Sequence, residues 1–226
     1  MVNDSGNTRR RDVVLALGLS VLALGGCSDA MTANRYRILT SALLRGRKTQ
    51  LSRNDVAKYA AASIALRIGN SAPALILLRE INDDEFIFAS SDNYLIAMRG
   101  GRVMQTGGLR HNLSHTMLGS TDPADGGLLT ADGAKCIRLL DYAEDYGIGI
   151  EARSEFELGH KETLKILGAA IPTMRVYEHV RVKSLSWRHR NIYWAHATTG
   201  SIWKTKQHTH PDLAPLTITT LRPVRQ

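Results

Sequence analysis

The sequence predicts a mainly β fold, an antiparallel β-sandwich or incomplete barrel preceded by two short N-terminal helices. Three observations predict it. Apolar runs of strand length recur from Pro73 to Leu221. Turn-forming clusters stand between the first of them, at Asn82-Asp83-Asp84, Ser91-Asp92-Asn93 and Gly100-Gly101, and such clusters close hairpins. From Ser63 onward helical spacing gives way to alternation. Val176, Val180 and Val182 stand among charged or polar neighbours, the pattern of a strand with one buried and one wet face.

The elements follow in order. Asn34 to Arg45 reads as an amphipathic helix with Ile38, Leu39, Ala42 and Leu43 on one stripe. A second helix is expected from Asn54 to Ala62, capped by Asn54 or Ser52. Neither is long enough to persist alone in water. Leu75–Leu78, Phe86–Ala89, Tyr94–Met98 and Val103–Thr106 then form a four-strand antiparallel meander, which needs no crossover helix. His111 to Asp132 is polar and rich in Gly, Asp and Pro, and reads as a long loop. Strand patterns resume at Lys135–Tyr142, Ile148–Leu158, Glu162–Gly168, Met174–Leu185, Asn191–Ala197, Ser201–Gln207 and Leu216–Leu221. Thr198-Thr199-Gly200 joins two of these as a tight hairpin. The total is about ten or eleven strands.

The N-terminus carries an address. Arg9, Arg10 and Arg11 precede an uncharged apolar run that ends in Leu24-Gly25-Gly26-Cys27. A charged head, a short apolar middle and small residues before a cut mark an export signal. The apolar run is about 14 residues, short of the roughly 20 that a spanning helix needs. Leu-Gly-Gly-Cys resembles the lipobox of bacterial lipoproteins. That resemblance implies a signal peptide over 1–26, diacylglycerol on the thiol of Cys27, and a single β-rich periplasmic domain over 27–226. Ser28 after the cysteine implies the periplasmic face of the outer membrane. The arginines fit a plain export signal or a twin-arginine one.

Composition narrows the class. Hydrophobic residues make up 43% and charged residues 22%, ordinary globular values that exclude a disordered chain. With Cys27 acylated, Cys136 has no partner for an internal disulfide, and its place in Lys135–Leu140 is that of a small core residue. Charge is distributed in blocks. Ala30 to Arg79 carries +8, Glu80 to Glu162 carries −8, and the remainder to Gln226 carries +8. A pI near 9.7 would suggest nucleic acid in a cytosolic protein. An exported chain meets anionic headgroups or acidic polysaccharide instead.

Two stretches resemble one family. Gly100 to Leu109 (GGRVMQTGGL) is similar to the G-R-V-x-x-T-x-G-L signature of the YjbF/GfcB lipoproteins, through Gly101, Arg102, Thr106, Gly108 and Leu109. Asn191-Ile192-Tyr193-Trp194, Thr199–Lys204 with Gly200, Gln207, Pro211 and Leu221-Arg222-Pro223 resemble that family's closing segment. The resemblance implies an outer-membrane lipoprotein of exopolysaccharide or group 4 capsule production. It also implies a largely β, barrel-like fold, and neighbours that include a periplasmic protein and an outer-membrane β-barrel. It carries over no catalytic reaction and no cofactor.

The residues themselves offer few catalytic patterns. His111 and His115 are four apart, but Asn112 stands where a zincin needs Glu. His208 and His210 flank Thr209 without a third ligand nearby in sequence, so no metal is predicted. Asp83, Asp84 and Glu85 are turn residues rather than a glycosidase pair. The strongest binding signal is Val180 to Pro211, which has no acid and holds all three tryptophans. Trp187, Arg188, Arg190, Trp194, Trp203, Lys204 and Lys206 form the candidate surface for an anionic glycan or a partner. Aromatic faces suit the C–H faces of sugars and cations suit uronates. The competing expectation is that the tryptophans fill core. The expected function is a non-catalytic accessory in polysaccharide assembly or export. A polysaccharide-modifying enzyme and a headgroup-binding envelope module are the alternatives.

Overall fold

The structure is a computed structural model and describes residues 50–91, 93–119 and 121–224. The export signal, Cys27 and the helix expected at Asn34 to Arg45 lie outside these residues. One short helix is described, α1 (Arg53–Ala57). Ser52 caps it through a capping box, since its hydroxyl accepts from the Asp55 amide while Asp55 reaches back to the Ser52 amide. The helix stops well before Ala62, because the Ala62 carbonyl accepts the Leu78 amide and the chain is already extended there.

Twelve strands follow: β1 (Ser63–Ile68), β2 (Ala74–Asn82), β3 (Glu85–Ala89), β4 (Leu95–Arg99), β5 (Arg102–Gly107), β6 (His115–Leu118), β7 (Lys135–Tyr142), β8 (Gly147–Ile166), β9 (Ala169–Val182), β10 (Trp187–His196), β11 (Ile202–Gln207) and β12 (Leu216–Arg222). They make one antiparallel sheet in the order β5-β4-β3-β2-β1-β12-β11-β10-β9-β8-β7-β6. The sheet curls into a nearly closed barrel. Its seam lies between β5 and β6, where the Thr106 amide donates to the Leu113 carbonyl (2.8 Å) and the Leu113 amide donates to the Thr106 hydroxyl (2.9 Å). Of the two architectures expected, the barrel is the one formed.

Three departures from the sequence reading have local causes. β1 carries no turn signal ahead of it, yet it pairs β2 on one side and β12 on the other. Ile148–Leu158 and Glu162–Gly168 are one strand, β8, whose register shift between Leu158 and Lys161 interrupts the alternation. His111 to Asp132 is not a plain loop. It contains β6, which is only four residues long, and two 3-10 turns, Pro123–Asp125 and Leu128–Thr130. His111 and His115 therefore share no helical face.

The interior is stacked in layers. One apolar cluster includes Ile64, Ile76, Ile96, Val103, Leu140, Ala152, Val180 and Leu216. A second includes Cys136, Phe156, Val176, Tyr193 and Ala195. Three adjacent strands place a polar residue between them in the same inward register: Arg138 on β7, Ser154 on β8 and Glu178 on β9. A polar layer one residue thick thus crosses the barrel.

Candidate functional site

The polar layer is a closed charge network. Arg102 projects inward from the start of β5 and is 2% exposed. It grips Asp122 with two bonds, Nε to Oδ2 at 3.0 Å and Nη2 to Oδ1 at 2.8 Å. Its Nη1 donates to Glu178 Oε2 and to the Tyr193 hydroxyl, each at 2.7 Å. Arg138 Nη1 donates to Glu178 Oε1 (2.6 Å) and to Ser154 Oγ (2.6 Å). Asn191 and Tyr193 donate to Glu178 Oε2, each at 2.8 Å. Two arginines face two carboxylates, so the buried charge balances and each carboxylate oxygen has a donor. Burial alone would push Glu178 up, but the two arginines and their hydrogen bonds hold it well below the usual carboxylate range. Desolvation pushes the Tyr193 phenol far up, which keeps it protonated as both donor and acceptor.

Beside this layer the barrel wall opens. β10 pairs β9 over its full length, from Trp187 to His196, but pairs β11 only from Ile192 to Ala195. β11 ends at Gln207, and the chain turns away toward Pro211. The first half of β10 is left with a slot of about 340 Å³, lined by Trp187, Arg188, His189, Arg190, Ile192, Lys206 and His208. Trp187 and His189 pack against each other with ring centroids 3.9 Å apart, and His189 lies 5.1 Å from His208. Both ring nitrogens of His189 and Nδ1 of His208 are buried without a hydrogen-bond partner. Burial, reinforced by His208 and Arg138, pushes His189 down to about 3, so its ring is neutral at pH 7. Arg188, Arg190 and Lys206 at the rim form no ion pair among the described residues. Arg188 stands opposite Arg181, and Arg181 opposite Arg153, which makes a row of arginines across three strands.

The structure divides the sequence-predicted surface. Trp187, Arg188, Arg190 and Lys206 meet at the slot, together with His189 and His208. Trp194 and Lys204 face each other on the outer side of β10 and β11, with Lys204 Nζ 4.7 Å from the indole. Arg175 covers Trp194 at 5.4 Å, and the indole N–H donates to Glu162 (2.5 Å). With 7% exposure, Trp194 is a packed ring. Trp203 is the residue skipped by the register shift opposite Trp194/Ala195, and it is half-buried. Each histidine pair considered in the sequence is split. His111 and His210 stack at 4.8 Å, while His115 lies on β6 and His208 in the slot. Asp145 Oδ2 lies 3.3 Å from His111 and 3.0 Å from His210. The Asp212 amide donates to His210 Nδ1 (3.1 Å), which leaves the proton of the neutral ring on Nε2, toward Asp145. The donor atoms of His111, Asp145 and His210 all lie within 4.8 Å of one another, the spacing of a group that could hold a metal ion.

Comparison with known proteins adds the lineage. A family profile described as "Group 4 capsule polysaccharide lipoprotein gfcB, YjbF" matches residues 36–221. The chain belongs to the YjbF/GfcB family. The "Uncharacterized lipoprotein GfcB" of Escherichia coli K12 is 22% identical over 210 residues, spanning 92% of this chain and 98% of that protein. The crystal structure of the hypothetical lipoprotein YmcC from Escherichia coli K12 superposes with a TM-score of 0.71 at 20% identity, covering 90% of this chain and 100% of that one. That likeness shows a shared fold.

The YjbF/GfcB motif residues of this chain serve the polar layer and its seam. Arg102 is the hub of the network. Gln207 Nε2 donates to the Gly101 carbonyl (2.7 Å) and its Oε1 accepts from the Val103 amide (3.2 Å), so the two motif segments are stitched together. A Cβ on Gly101 would lie 2.0 Å from Ile202 Cδ1, so any side chain there requires the end of Ile202 to turn away. Thr106 closes the seam, and Leu109 packs in the first core cluster. Gly108 has φ +74° and approaches the Asn93 carbonyl too closely for any side chain. Gly200 closes the β10–β11 turn, and Pro211 begins the turn after His210. Asp122, Arg138 and Glu178 escaped the sequence reading. The signal for Glu178 was present, since it occupies the same parity as Val176 and Val180.

Proposed function

We propose that this chain is a non-catalytic accessory of capsule or exopolysaccharide assembly or export. It is lipidated at Cys27, held at the periplasmic face of the outer membrane, and docks to an outer-membrane β-barrel and periplasmic proteins of the same system. Family membership supports the polysaccharide link. The observation that carries a binding role is the Arg153–Arg181–Arg188 row. Like charges directly opposite on neighbouring strands are unfavourable; Glu151 already meets Arg153 (2.7 Å), while Arg181 and Arg188 have no ion-pair partner among the described residues, and an anionic partner relieves them. Chemistry at the polar layer is disfavoured because Glu178 and Asp122 are sealed in and held by arginines, leaving neither carboxylate to protonate a glycosidic oxygen.

The test is surface polymer in a strain lacking the chain, rescued with wild type or with Cys27→Ser. Loss of surface polymer, restored by wild type and not by Cys27→Ser, is the expected result. Normal polymer in the deletion strain overturns the reading. Normal export with altered chain length or decoration replaces it with the polysaccharide-modifying enzyme.

A further inference from the structure

We propose that the slot beside β10 binds one acidic sugar residue, its carboxylate held by Arg188, Arg190 and Lys206 and its hydroxyls by His189 and His208 over the Trp187 ring. This rests on the polysaccharide reading above and specifies its ligand.

The argument begins with what the slot leaves unsatisfied. A buried polar group without a partner costs free energy, and the great majority of such groups in native proteins find one. Among the described residues four buried ring nitrogens go without, and three of them belong to residues lining this one opening. Their chemistry is mixed. The neutral ring of His189 offers one donor and one acceptor. His208 is already hydrogen-bonded to the Arg190 backbone, and its Nδ1 is free. A fully ionised anion such as a bare carboxylate brings only acceptors and would leave two of these three sites unmatched. Hydroxyl groups donate and accept at once and match all of them. The rim has the opposite character. Three cations with no acidic partner call for a negative group at the mouth, and a planar guanidinium suits a carboxylate. The part of the Trp187 ring left open beside His189 and the first core cluster supplies an apolar wall against which a sugar's C–H groups pack. A pyranose carrying a carboxylate joins hydroxyls, an apolar face and one anionic group at this scale. The open edge of β10 gives it entry from the side of the barrel without unfolding a ladder.

A lipid phosphate with a polyol headgroup presents related chemistry, so the experiment separates the two sources. The full chain is titrated with oligomers of galacturonate, glucuronate and mannuronate, with their methyl esters, and with phosphatidylglycerol vesicles. Binding is read by calorimetry and by the imidazole NMR signals of His189 and His208. The expected result is saturable binding of at least one uronate oligomer that shifts both histidine signals. Its methyl ester binds at least tenfold more weakly. His208→Leu and Lys206→Glu each lower affinity at least tenfold while keeping the wild-type unfolding midpoint. His189→Gln, which retains a donor and an acceptor, loses less than His189→Leu. No binding by any uronate, equal binding of acid and ester, histidine signals that do not move, or binding of vesicles alone each overturn the proposal. The parent reading fails separately. A His208→Leu strain with full surface polymer, set against a deletion strain with none, rejects the slot and keeps the accessory role.

Discussion

At the scale of single residues, Arg102 and Glu178 carry the most consequence. Each is almost wholly shielded from water and each is the other's partner. Removing one leaves an uncompensated buried charge, which costs about 3–5 kcal/mol. Arg102→Met and Glu178→Leu should each lower the unfolding free energy by about that amount in urea titrations. The double variant should cost less than the two together by roughly 0.5–3 kcal/mol, because the residues share one network. Additive losses would show that Arg102 and Glu178 act independently. Sequence reasoning found Arg102 through its motif and missed Asp122, Arg138 and Glu178. Their charge made them look like surface residues; only the inward register of β7 and β9 gives Arg138 and Glu178 away, and Asp122 sits at the cap of the Pro123–Asp125 turn.

At the scale of elements, the contact between β5 and β11 explains why two distant motifs keep company. Gly101 precedes β5, and Ile202 opens β11 against it. Gly101→Ala brings a methyl group against Ile202 Cδ1, the movable end of a partly exposed side chain, and should destabilise the fold by about 1 kcal/mol, the low end of overpacking. Ile202→Val removes that terminal carbon. The pair Gly101→Ala/Ile202→Val should recover part of the loss in thermal unfolding, and no recovery would mean the strain is in the backbone. Strand positions were legible because turn clusters and alternation are local signals. The exceptions were β1, which has no turn signal ahead of it, β6, too short for a period, and β8, whose alternation breaks at its irregularity. The slot was half legible. Four of the seven residues chosen for charge and aromaticity line it, while His189 and His208 depend on where β11 stops pairing, which is a tertiary fact.

At the scale of the whole molecule, stability should fall as pH falls. His189 is held near 3 in the folded chain against 6.5 for an ordinary imidazole, so between these values only the unfolded chain binds that proton. Unfolding is then favoured by roughly 1.4 kcal/mol per pH unit below 6.5, and the stability is fully present above it. Glu178 acts in the same direction below the usual carboxylate range, where the unfolded chain takes up a proton that the folded one refuses. Between pH 7 and pH 5, wild type should lose roughly 2 kcal/mol more than His189→Leu in urea titrations. Equal losses would place the sensitivity elsewhere.

The pairing of β1 with β12 has a consequence for how the chain can be rewired. Every other neighbouring pair in the sheet is consecutive in sequence, and Ser63 sits directly across from Arg222. The strands therefore form a ring whose covalent break lies at the β1–β12 junction, while the break in its hydrogen-bonded ladder lies at β5–β6. Joining the ends and cutting the loop at Gly108–Ser114 would make a circular permutant in which those two breaks coincide. Such a chain would run from β6 round to β5 with every ladder between strands adjacent in sequence, and the only closure left to long-range contact would be the seam at Thr106.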